Sequence, residues 1–253
     1  MQIASITQKQ NQIIPLLYKY RFLTIYQFQQ LLNHKFPHRI NAWLNDLVNK
    51  KLISRLKLID DVTQPYIYCL SQKSKYILTD KDIYDETFLN RLYKEKNLTS
   101  NFISHMLLLT DVYLYLNSQK ETESTISFYS KHELQGYDYF PEELPDAYIA
   151  VENQNDTTRY VLDLFDDYTP LWAIRKRIKT YLQFYEDNIW QEKTENSPFP
   201  AILFVLPNKR VLKHITHFGK AVLEKTYYDD INIFLTTKEK IKENGQAIWE
   251  KVE

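Results

Sequence analysis

Apolar residues change their spacing partway along this chain, and that change limits the folds open to it. Before about residue 120 they mostly recur every three or four positions, the period of a helix face. From residue 125 they gather in short aromatic and β-branched runs parted by turn-like segments, the habit of strands. At 253 residues the chain is long enough for two domains. The break in pattern predicts a helical part followed by an α/β part.

The first part has a readable order. Residues 9–20 put Ile13, Leu16, Leu17 and Tyr20 on one helix face, with Pro15 marking a start or a bend. Thr24 can cap a second helix whose face is Ile25, Phe28, Leu31 and Leu32. A third helix begins at Pro37, a residue suited to a first turn, and buries Ile40, Trp43, Leu44, Leu47 and Val48. Two strand-like runs follow at 52–59 and 65–70, with Asp60 and Asp61 in the turn between them. Three helices and a hairpin predict a winged helix-turn-helix over residues 1–80. In that fold the third helix enters the DNA major groove and the hairpin touches flanking backbone. Off the buried face lie His38, Arg39, Asn41, Asn45 and Asn49, types that hydrogen-bond to base edges or phosphates. Lys50, Lys51, Arg55 and Lys57 carry the basic stripe onward. Cys69 alternates with Ile67 and reads as core.

Charge divides in the same place. The first 80 residues hold 11 Lys or Arg against 4 acids, near +7, and the other 173 hold 21 against 28, near −7. A basic module that meets a polyanion and a second module with another task are the expectation. Three Gly residues in the whole chain argue against a glycine-built phosphate loop, and one Cys excludes an internal disulfide or a multi-Cys zinc site. The Cys usage, the lack of a signal pattern at the start and the lack of about 18 consecutive apolar residues predict a cytoplasmic protein without a membrane span.

Residues 81–100 read as a linker or connecting helix, and 101–119 as a helix with His105 beside its apolar stripe. Residues 101–253 then form an α/β domain. Strands are expected at 125–130, 145–152, 159–166, 201–207 and 231–237, helices at 171–190 and 208–225, and a final short helix in the tail. Strands flanked by helices predict a mixed central sheet.

The chemistry-bearing pair is Asp146, after Pro145, and Asp163 on the next strand. If those strands are antiparallel neighbours, the two carboxylates meet at one sheet edge. Two converging carboxylates are what Mg²⁺ asks for, and such an ion could hold a phosphodiester and activate water. Nucleases of the PD-(D/E)XK fold have this layout with a Lys two residues after the second acid, where this chain has Phe165. A cation could instead come from Lys176, Arg177 or Lys179 on the following helix. His214 and His217 are three apart on a helix with no acid or Cys close in sequence. The paired His motif of a DNA relaxase is missing, and among 20 Tyr none stands out as a nucleophile.

Taken in order, RINAWLNDLVNKKLISRL, NFISHMLLLTDVYLYL, LPDAYIAV, RYVLDLFDDYTPLWAIRKRIKTYLQFY and PFPAILFVLPN resemble the replication-relaxation family, which includes MobC-type plasmid mobilisation proteins. The resemblance runs from about residue 10 to 210. It implies a DNA-binding winged helix fused to a nuclease-like domain, acting in plasmid or integrative-element replication or conjugative transfer. It matches the family's Pro-Asp to Pro145-Asp146, its strand acid to Asp163 and its helix His to His105. Two positions depart: Phe165 stands at the second acidic position, and Arg177, a poor proton donor, stands ahead of Tyr181 where Lys is frequent. The expected function is that of a DNA-gripping accessory protein with a degenerate nuclease-like domain. Its partners would be duplex DNA, a relaxase or replication protein, and a second copy of itself. A Mg²⁺-dependent endonuclease using Asp146 and Asp163, and a winged-helix transcriptional regulator, are the alternatives.

Overall fold

A computed structural model describes residues 5–58, 65–80, 82–154, 156–226 and 230–253. Two compact units divide the chain, Met1–Leu114 and Tyr115–Glu253.

In the first unit, helix α1 (Gln8–Tyr20) starts at Thr7, whose side chain accepts from the Gln10 amide while Gln10 reaches back to the Thr7 amide. Pro15 sits inside α1 without ending it. Strand β1 (Leu23–Thr24) leads into α2 (Ile25–Leu31), and Thr24 caps it through a second reciprocal pair with Gln27. Helix α3 (Pro37–Asn49) opens on its proline. Strands β2 (Ile53–Leu56) and β3 (Ile67–Leu70) pair antiparallel, and β1 adds to the other edge of β3, giving the order β1-β3-β2. The turn at Asp60 and Asp61 lies outside the described residues. Ile13, Leu17, Phe28, Ile40, Leu44 and Leu47 are fully buried between the helices. Cys69 is buried with them, and that burial pushes its thiol up to about 12.

The stretch expected as a linker holds α4 (Glu86–Asn90) and a 3₁₀ turn at Leu92–Asn97. Glu95 in that turn is buried and takes Arg21 through two nitrogens, at 2.6 and 3.2 Å. Helix α5 (Ser100–Gln119) is apolar over most of its circumference, with Ile103, Met106, Leu108, Leu109, Val112 and Leu114 buried. Gln27 donates to the Leu107 carbonyl at 2.9 Å and to Asp111 at 2.7 Å, tying α2 to α5.

The second unit is a six-stranded mixed sheet in the order β4-β5-β6-β7-β8-β9. In β4 (Thr125–Ser130), β5 (Ala147–Glu152) and β6 (Thr157–Leu164), the central β5 runs antiparallel to both its neighbours. Strands β7 (Ala201–Leu206) and β8 (Ile233–Thr237) continue parallel to β6. Helix α6 (Leu171–Glu186) connects β6 to β7, and α8 (Lys209–Thr226) runs between β7 and β8. Both helices pack over one core with Val161, Phe165, Ile202, Phe204 and Ile233.

Two expectations in this unit need correction. The helix expected over 171–190 ends at Glu186, because Asn188 is left-handed (φ 56), and a separate α7 (Ile189–Lys193) follows. The tail is more than a short helix. After α9 (Lys238–Glu243) stops at the left-handed Asn244, Glu250–Lys251 adds an edge strand, β9, antiparallel to β8. Gly219 on α8 admits this tail: a Cβ there would stand 3.1 Å from Val252 Cγ1.

Candidate functional site

The acidic pair is assembled by strand register. Ala147 pairs with Leu162 across the antiparallel β5–β6 ladder, so one residue further out Asp146 comes opposite Asp163. The Asp146 carboxylate accepts from the Leu164 amide at 2.8 Å, and its backbone carbonyl accepts from the Lys131 amide at 2.8 Å. Both bonds fix the entry to β5.

Asp163 is 7% exposed and is held by α6. Arg177 donates to its two oxygens, Nε at 2.8 Å and Nη2 at 3.1 Å. Tyr181, one turn along the helix, donates its hydroxyl at 2.7 Å and accepts from Arg177 Nη2 at 2.9 Å. The remaining guanidinium nitrogen donates to the Glu143 carbonyl at 2.6 Å. Arg177 and Tyr181 are themselves buried. This is a bidentate Arg–carboxylate pair in which each guanidinium nitrogen donates to an acceptor.

Burial raises the Asp163 carboxyl above the ordinary carboxylate range. Arg177 pulls against that and the charge of Asp146 adds to it. Burial alone would lower the Arg177 guanidinium, but Asp163, through its charge and hydrogen bonds, together with Tyr181 and Glu143 outweighs it, and the net direction is up. Burial, then Asp163, pushes the Tyr181 hydroxyl well above the usual phenol range.

Phe165, at the position where a nuclease of this layout carries Lys, is buried against Phe204 with ring centroids 4.9 Å apart. Lys176 and Lys179 lie on the exposed side of α6. A hard cation needs several oxygen ligands. Here both oxygens of Asp163 already accept from Arg177 and Tyr181, and among the described residues no three His, Cys, Asp or Glu side chains converge as metal ligands. The donor set is that of a buried ion pair and does not fit a Mg²⁺ site.

In the first unit, His38, Arg39 and Asn41 are exposed in the opening turns of α3, and Asn49 is exposed near its end. Asn45 accepts from Arg55 Nη1 at 3.3 Å, which joins α3 to β2. Arg55 and Lys57 both lie over Tyr66, 4.4 and 5.1 Å from its centroid, and that ring is 42% exposed. Arg39 lies 5.6 Å from the exposed ring of Phe36. Lys50 is drawn elsewhere: it pairs with Asp46 at 2.5 Å and donates to the Ser5 carbonyl at 2.8 Å. Hydrogen bonds from Lys50 and from Gln10 hold the Asp46 carboxyl below its ordinary range. Lys51 is exposed with φ 60. The two aromatic rings were not singled out by sequence; their position beside Arg residues in space is what marks them.

His105 is half-buried on α5, and His214 and His217 are both exposed on α8. No helix among the described residues is long and apolar enough to cross a membrane.

A family model described as "Replication-relaxation" matches residues 14–199. No curated protein matches the chain. Among solved structures, restriction endonuclease FokI is similar at 13% identity and a TM-score of 0.32, covering 94% of this chain and 44% of that one. FokI bound to DNA is similar at 14% identity and a TM-score of 0.30, covering 93% and 44%. The chain therefore spans less than half the length of that enzyme.

Proposed function

The chain belongs to the replication-relaxation family, and from that membership we propose that it is a DNA-binding accessory protein of a plasmid or integrative element that grips duplex DNA without cutting it. Membership points to replication or DNA processing. The finer reading rests on both units.

The first unit has the element order of a winged helix-turn-helix, with α3 as the recognition helix and β2–β3 as the wing. Arg39 and Asn41 on α3 and the Arg55–Lys57–Tyr66 group on the hairpin are the proposed contacts, the first to base edges and phosphates, the second to flanking backbone. The second unit reads as a nuclease-like α/β layout turned to a structural or partner-holding role, with a relaxase, a replication protein or a second copy as the partner.

One observation carries the non-cutting part. Arg177 and Tyr181 occupy both oxygens of Asp163, so the acid that would share a metal with Asp146 is already committed.

Binding isotherms against salt test the grip. Each phosphate neutralised by Lys or Arg contributes about −0.9 to the slope of log K on log salt. The full chain should bind duplex DNA with a slope of about −4 or steeper. A slope near zero, or no retention at low salt, would remove the DNA-gripping reading. Protection of the chain's own promoter in place of an origin would turn it toward transcriptional control.

A further inference from the structure

We propose that the second unit carries its own surface for single-stranded DNA, formed by the outer faces of α6 and α8. This goes beyond the duplex-gripping role of the first unit and does not depend on it.

Helix α8 buries Leu212, Ile215 and Gly219 against the core. On its other side Lys209, Arg210, Lys213, His214 and His217 line a shallow depression of about 440 Å³. Lys220 continues that side by one turn, and Glu224 is the helix's one acid. This strongly basic face lies within a half of the chain whose total charge is negative. Lys209 approaches Glu239 at 3.6 Å, a pair in which both side chains are largely exposed and so weakly coupled.

Helix α6 adds flat apolar surface. Trp172 and, four residues earlier, Tyr168 are 67% and 66% exposed. Lys176 and Lys179 follow Trp172 at helical spacing and are also exposed. Arg175 links the two helices, its guanidinium 5.3 Å from the ring of Phe218 on α8. Tyr168 is steadied by its hydroxyl, which donates to Asp166 at 3.0 Å. Lys238 lies 3.3 Å from Asp166 and 3.6 Å from Asp167, which offsets the acidity at that end.

Tyr168 and Trp172 together leave two rings open to solvent, one just before α6 and one in its first turn, and Lys176 stands one turn beyond Trp172. Cations in a groove track a phosphate backbone, and exposed rings accept unpaired bases by stacking. A duplex offers the same phosphates but keeps its bases inside the stack. Cations together with Trp172 therefore select the unpaired strand.

The test uses the full chain and a labelled oligonucleotide of about 20 nucleotides, longer than the roughly 4–16 of one such site. Trp172→Ala should weaken single-strand binding about tenfold, the effect of one lost stacking contact, and leave duplex binding unchanged. Trp172→Phe should restore most of the loss. A Lys213→Ala, Lys176→Ala pair should lower the salt slope on the single strand. Alanine at Arg39, Lys50, Lys51 and Arg55 should leave single-strand binding in place. Unchanged affinity in Trp172→Ala overturns the proposal. So does an equal loss on duplex and single strand, or loss of single-strand binding in the first-unit variant alone. Because the two sets of variants lie in different units, failure of one surface is read separately from failure of the other.

Discussion

Asp163→Leu should lower the unfolding free energy by about 3–5 kcal/mol, because it leaves the Arg177 guanidinium buried without its counter-charge. Arginine does not escape by giving up its proton. Arg177→Met leaves a buried carboxylate instead, and that group can take up a proton. Its cost should therefore depend on pH. A carboxyl raised above its ordinary value of 3.8 contributes stability that is complete below that value and is lost as pH rises through the folded value. Without Arg177 the Asp163 carboxyl moves further up, so Arg177→Met should be more stable near pH 5 than near pH 8, while Asp163→Leu shows no such trend from this site. The double variant, apolar at both positions, should recover much of the lost stability, as replaced buried ion pairs do, and fall short of the parent chain because the buried Tyr181 hydroxyl then lacks both its partners. Urea unfolding of the three variants measures this. Costs that simply add would mean that the two side chains act independently, contrary to the bidentate geometry.

The second large effect is on DNA. Alanine at Arg39, Lys50, Lys51 and Arg55 together should reduce duplex affinity about a hundredfold or more and make the salt slope shallower by about three units. The four should not contribute equally. Arg39 and Arg55 lie beside exposed rings, Phe36 and Tyr66, on the surface of α3 and the hairpin. Lys50 already faces Asp46 and the Ser5 carbonyl, so its single replacement should cost the least. The fold should survive, since a partly exposed i,i+4 pair such as Asp46–Lys50 is worth only about 0.3–0.5 kcal/mol. A gel shift on the quadruple and single variants, with circular dichroism as the fold check, reads both expectations.

Much of the fold follows from local chemistry that is visible in the chain. Thr24 three residues before Gln27 is a capping box, Pro37 is a helix opener, and the apolar run at 201–207 is a strand buried on both faces. What escapes is set by distant partners. Strands β1 and β9 are two residues each, too short to show alternation, and exist because β3 and β8 offer them an edge. The break at Asn188 is hidden because Leu182, Tyr185 and Ile189 keep helical spacing across it.

The site was legible to a similar depth. Asp146 and Asp163 stand out as strand-edge acids, and α6 as the source of a cation. That Arg177 clamps Asp163 while Lys176 and Lys179 stay outside depends on which side of α6 faces the sheet. The basic face of α8 is invisible in a charge total because the acids elsewhere in that half outnumber it.

Incubation of supercoiled plasmid with the full chain and Mg²⁺ or Mn²⁺, at protein concentrations that retard the plasmid, tests the central claim most directly. The account predicts plasmid that is bound and still supercoiled once the protein is removed. Nicking or linearisation that disappears in Asp146→Ala would contradict it.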